Sequence, residues 1–398
     1  MLLKNCRYLV TQDEKRRVLE NTDVLVSGGT IEKIGKSIKA PRGAEAIDCS
    51  QKIVMPGIVN THTHLGMQSL RGKCDDFELF GWLTELEAQE RKLTPKQVKQ
   101  NALDGLREAI RTGTTTIYDS YKFPQERLEA FKEIGMRGVI SSTVRDEKTF
   151  AESKKFLSAL KSELVKGAVA ANSVYACDEQ TLRKVIEYSD EKELLRRIHV
   201  GETRKDRFDT LKAKKLLAVE YLDSIGFLSP RTLLVHCIWI TKGEIKRIAK
   251  SGTKVSHNPV SNMKLASGGV MPLNEMLLEN VAVGLGTDSV ASNNNLDMFE
   301  EMKMCALLHR HHKWDAKAVS AQQVLDMATR SGAQCLGLEG IGSLAEGMKA
   351  DIITLDIEEN LRPVNDVVSN IVFAAQGLNV SDVIIEGKMK LREKSFVQ

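Results

Sequence analysis

The sequence predicts an α/β fold: a (β/α)8 TIM-like barrel over residues 56–341, beside a small β-sandwich domain built from residues 1–55 and 342–398. Three observations carry this reading. From Pro56 to about Ile341, eight short apolar runs alternate with longer amphipathic stretches, the pattern of parallel strands joined by crossover helices. Both chain ends read instead as short alternating strands around glycine turns. Histidines and an aspartate also fall where the predicted barrel strands end, the face on which such barrels carry their chemistry.

Taken in order, Val24–Val26, the turn Ser27-Gly28-Gly29 and Thr30–Ile34 spell a hairpin. The barrel strands are expected at Ile58–Thr61, Thr115–Tyr118, Gly138–Ser141, Gly167–Ala171, Ile198–Gly201, Leu233–His236, Thr253–Ser256 and Val281–Leu285. Helix-compatible segments follow them, among them Pro95–Arg111, Asp178–Tyr188 and Thr241–Ser251. Asp351–Leu355 and Val383–Lys388 return to the strand pattern and are expected to pair with the N-terminal strands.

Composition removes several function classes. The 398 residues are 42% hydrophobic and 28% charged, with a net charge of +4. So thin an excess of base argues against nucleic acid and membrane surfaces as partners. Aromatics at 5% offer little for base stacking. The longest apolar stretch, Leu233–Ile240, is interrupted by His236 and is too short to cross a bilayer. Met1–Val10 lacks the apolar core of a secretory signal, and seven cysteines without a Cys-x-x-Cys pair read as reduced thiols. A cytoplasmic location is the expectation. Two glycine motifs are decoys. Gly29–Ser37 has five residues between its glycines where a phosphate loop has four, and Gly340–Ala345 follows a helix and precedes a strand.

His62 and His64 stand two apart on the first barrel strand, so their side chains share a face. With His199 from strand five and Asp288 after strand eight they make a ligand set for one borderline divalent metal. Strand four ends in Ala170-Ala171-Asn172-Ser173, without a lysine of the kind that bridges two metals in some metal-dependent barrels. His236 marks the end of strand six. Glu202 follows Gly201, where the chain can bend and bring a carboxylate over the site for proton shuttling. His309-Arg310-His311-His312 lies on a helix, where i and i+2 diverge, and reads as a solvated helix end.

These residues sit in a longer pattern: Met55-Pro56-Gly57-Ile58-Val59-Asn60-Thr61-His62-Thr63-His64, Leu70-Arg71-Gly72, His199-Val200-Gly201-Glu202-Thr203, Val235-His236-Cys237, Ser256–Leu265, Gly286–Asn294 and Gly342–Asp351. In this the chain resembles the amidohydrolase superfamily, in its branch of methylthioadenosine/S-adenosylhomocysteine deaminases and triazine chlorohydrolases. The resemblance implies Zn²⁺, or alternatively Fe²⁺, held by His62, His64, His199 and Asp288. It implies that Glu202 protonates a ring nitrogen, that His236 hydrogen-bonds the attacking hydroxide, and that Asp288 relays the water's proton. Glu90, Asn172, Arg145 and Ser292, with Glu202 and His236, are the expected substrate contacts. At the end of strand four, Asn172-Ser173-Val174-Tyr175 replaces the family's His-x-Pro-Tyr, and Ser142 stands where an arginine is usual. The expected activity is hydrolytic deamination of a purine nucleoside of adenosine type. The alternative is a chlorohydrolase or a hydrolase of cyclic C–N bonds on the same site. A homo-oligomer acting on a small molecule completes the expectation.

Overall fold

The computed structural model describes residues 1–73, 75–76 and 79–397, so Cys74 lies outside them. The barrel wall runs in chain order through β1 (Ile58–Thr63), β2 (Thr114–Ser120), β3 (Arg137–Ser141), β4 (Val165–Ser173), β5 (Leu195–Val200), β6 (Thr232–His236), β7 (Lys254–His257) and β8 (Val283–Leu285), all parallel. Each lies on an expected strand. A short extension, Thr143–Val144, continues the edge of β3 and pairs with Ala170 and Ala171 of β4. The wall closes through a parallel bridge between Thr63 and Asp288, with the Asp288 N–H donating to the His62 carbonyl at 2.9 Å. Closure therefore pins the Asp288 backbone to the strand that carries His62 and His64.

β8 begins two residues later than expected. Asn280 adopts a left-handed φ of 58°, and the Val281 N–H donates to the Met276 carbonyl at 2.9 Å, closing the preceding helix. Val281 is thus spent on a helix end before the strand starts. Crossover helices begin where the sequence supplies caps. Pro95–Arg111 starts from Thr94 in a reciprocal box with Gln97, and Lys242–Ser251 from Thr241 with Glu244.

The chain ends build a second sheet, in the order Ser395–Phe396, Lys388–Arg392, Val380–Ile385, Ile352–Asp356, Lys52–Pro56, Leu2–Val10, Val18–Ser27, Thr30–Gly35. The strand expected over Val383–Lys388 is interrupted. Glu386 and Gly387 take φ of 50° and 70° and make a hairpin turn there. Two-residue alternation divides this sheet between two cores. Val54, Ile352 and Ile384 pack with Leu3, Cys6 and Val24, whereas Ile53, Met55, Ile353 and Ile385 join the core that fills the space around the barrel. Arg137, opening β3, locks the sheet to the barrel through Asp351 Oδ2 at 2.5 Å and Glu386. Among the described residues, no helix is long and apolar enough to cross a membrane.

Candidate active site

At the C-terminal ends of the barrel strands a cavity of about 520 Å³ opens among His64, His199, Glu202, His236 and Asp288. Glu90, Asn172, Arg145 and Ser292 line the same cavity, and His62 is fully buried beneath it. His62 Nε2 and His64 Nε2 stand 3.4 and 3.3 Å from Asp288 Oδ1. His62, His64 and Asp288 form one group of converging donor atoms, and His62, His199 and His236 a second that shares His62.

Local backbone geometry sets these side chains. Alternation along β1 sends His62 and His64 to one face. Gly201 takes a φ of 55°, and its carbonyl accepts from the Trp239 N–H at 2.8 Å. The bend turns Glu202 inward, placing its Oε2 3.7 Å from His236 Nε2. His236 and Asp288 themselves hold left-handed φ of 73° and 63°, strained conformations that persist where the surroundings over-determine them. A register shift in β4 between Ala170 and Ser173 turns the Asn172 carbonyl toward His199, whose Nδ1 donates to it at 2.7 Å. His64 Nδ1 donates likewise to the Ser120 carbonyl. Anchoring Nδ1 in this way leaves each Nε2 lone pair facing the other donors, the arrangement metal-ligating histidines use.

Electrostatics keep the donors ready. Burial, aided by the nearby Arg197 charge, holds His62 and His199 well below the ordinary imidazole range, so both are neutral. Burial alone would raise Asp288, but the facing His62 and His64 imidazoles outweigh it and hold the carboxyl well below its ordinary value. Neutral imidazoles and an ionised carboxylate are the forms that bind a metal. The donor set, nitrogen-rich with one carboxylate, fits a divalent ion of the zinc type.

Three contributors lie outside the sequence expectation. Ser261 Oγ donates to Asp288 Oδ2 at 2.7 Å and contacts Ser292 Oγ at 2.9 Å. Asn262 Oδ1 accepts from His236 Nδ1 at 2.9 Å. Arg197, two residues before His199 on β5, reaches the imidazoles from inside the barrel. The alternation that paired His62 with His64 could have found Arg197. The other two join positions 26 or more residues apart and left no local signal.

The expectation of a solvated helix end at His309–His312 needs correction. His309 is fully buried, with Nε2 3.0 Å from Nε2 of His257, because the inner face of the helix Met298–Lys313 packs against β8 and the short helix Pro259–Lys264. His311 and His312 do face solvent. Glu90, at the end of the helix Leu79–Glu90, borders the cavity beside Tyr121. Arg145 points toward Glu87, 3.8 Å away at the rim.

Residues 53–390 match the model of the amidohydrolase family. The 5′-deoxyadenosine deaminase of Methanosphaera stadtmanae is 37% identical over 391 residues, covering 95% of this chain and 92% of the relative. The 5-methylthioadenosine/S-adenosylhomocysteine deaminase of Thermococcus onnurineus is 38% identical over 408 residues, covering 100% and 95%. Among solved structures, a zinc-bound adenosine deaminase from Xanthomonas campestris superposes with a TM-score of 0.96 at 30% identity, covering 100% of this chain and 94% of that one. With this barrel, this donor set and these matches along its length, the chain belongs to the amidohydrolase family.

Proposed function

We propose that this chain is a metal-dependent deaminase of an adenosine-type nucleoside, with 5′-deoxyadenosine the substrate of first choice. The observation that carries the reading is the Glu202 carboxylate, 3.7 Å from His236 Nε2 and beside the His62–His64–Asp288 group, in the wall of a cavity sized for one small molecule. The relatives named for deaminating 5′-deoxyadenosine and its 5′-substituted kin support it.

His62, His64, His199 and Asp288 would hold one divalent ion, zinc ahead of iron. When bound, that ion supplies Lewis acidity that brings the pKa of a water toward neutrality. Glu202 delivers a proton to the ring nitrogen beside the amino-bearing carbon. The Nδ1–H of His236 is committed to Asn262, so its Nε2 lone pair accepts a hydrogen bond from the attacking water and fixes its approach. Asp288, steadied by Ser261, takes the proton the water loses and passes it to the amino group, which departs as ammonia. As the ring carbonyl forms, Glu202 recovers its proton from the new hydroxyl. Glu90 accepts from the sugar hydroxyls. Met67, Leu86, Phe123 and Leu265 give the cavity an apolar wall suited to an uncharged 5′ group.

Glu202→Gln tests the assignment. The carboxamide keeps the shape of the side chain and removes the transferable proton. Zinc content is expected to stay at the wild-type level while ammonia release from 5′-deoxyadenosine falls by about a thousandfold or more. Turnover within threefold of wild type would overturn the role given to Glu202.

A further inference from the structure

Three arginine side chains are among the largest fully buried groups, and two of them are satisfied. Arg127 bonds Asp119 and the carbonyls of Tyr121 and Ser141. Arg196 bonds the Phe227 carbonyl, Thr232, Ser189 and Asp190. Arg197 differs. Its Nη2 donates to His199 Nε2 and lies 3.2 and 3.3 Å from Nε2 and Nδ1 of His62. Its Nε and Nη1 have no hydrogen-bond partner among the described residues. A buried guanidinium left two-thirds unpaired is costly to the fold, and its directed contacts are to imidazoles, which bring no compensating charge.

His199 has one ring nitrogen committed to the Asn172 carbonyl. The other, Nε2, carries the single lone pair that would bind a metal, and Arg197 donates into it. One lone pair cannot serve both. We propose that Arg197 is a built-in cationic competitor at this centre, displaced from His199 whenever metal binds and setting the affinity of the site. The inference rests on the metal-dependent reading above. Arginine stays charged throughout the working pH range, and the side chain is covered on all sides. On displacement its charge therefore remains in the barrel interior near the incoming ion, where like charges repel strongly. Asp288 and Glu202 are carboxylates whose charges act on it. The site so built takes and releases its metal more readily than the same donors without the arginine.

The test reads metal binding, not turnover. Full-length protein is stripped with a chelator, and zinc affinity is measured by competition with a chromophoric chelator near neutral pH. Wild type is compared with Arg197→Met, Arg197→Gln and Arg197→Lys, each checked for folding by circular dichroism. The neutral variants are expected to bind zinc at least tenfold more tightly than wild type, and Arg197→Lys, which keeps the charge, within about threefold of it. If Arg197→Met fails to fold, Arg197→Gln, with a polar head at the same depth, gives the comparison. Wild-type affinity in the neutral variants, or weaker binding, overturns the competitor role while leaving the metal site standing. Zinc binding by none of the four proteins overturns the metal-dependent reading itself.

Discussion

Asp206 shows how a single residue ties the site to stability. It sits in the first turn of the helix Arg204–Lys214, nearly buried, and burial together with the Glu202 charge pushes its carboxyl up to about 6 from an ordinary 3.8. Between those values the folded chain holds a proton that the unfolded chain has lost. Its stabilising contribution is therefore complete below the unfolded value and is lost as pH rises through about 6. Asp206→Asn, which keeps the acceptor oxygen, is expected to unfold at the same urea concentration as wild type near pH 4. At neutral pH it gains up to about 3 kcal/mol over wild type. Urea titrations across that range check it, and a gap between the two proteins that does not change with pH contradicts it. At this scale the sequence was informative wherever two chemical groups share a strand face, as with His62 and His64. It was silent on Ser261 and Asn262, because their partners Asp288 and His236 are brought to them by the barrel and not by the local chain.

Among the elements, β1 and β8 do the closing, and the room between them is small. A Cβ on Gly286 would lie 2.9 Å from both the Cβ and the backbone nitrogen of His62, and 2.6 Å from Asn258 Oδ1. No rotamer change relieves contact with backbone. Gly286→Ala is expected to cost about 1–3 kcal/mol of stability by overpacking and, because it pushes on His62, to lower zinc stoichiometry as well. Urea unfolding and metal analysis of the same sample measure both, and wild-type zinc content with wild-type stability would contradict the closure described for β1 and β8. Strand positions were legible because both faces of the wall are buried, so each strand reads as a short apolar run. The ends were less so. Val281 is a β-branched residue and Glu386 follows the apolar run Val383–Ile385, but a helix closure claims the first and a hairpin turn the second.

For the whole molecule, two chain ends far apart in sequence make one sheet, and Arg137 with Asp351 and Glu386 fastens that sheet to the barrel opposite the strand ends that bear the site. Short strand-like runs around glycine turns at each end signalled strands, but the order in which they pair is a property of the assembled fold. The substrate belongs to this scale too, since the cavity wall draws Glu90, Arg145, Asn172 and Ser292 from four separate segments. Ammonia release by zinc-loaded protein therefore tests the central claim most directly. The panel is 5′-deoxyadenosine, 5-methylthioadenosine, S-adenosylhomocysteine, adenosine, guanine and a chlorinated triazine. The account predicts conversion of the adenosine compounds to their 6-oxo products with one ammonia each, fastest for an uncharged 5′ group. Chloride release from the triazine, with the adenosine compounds unchanged, would contradict it.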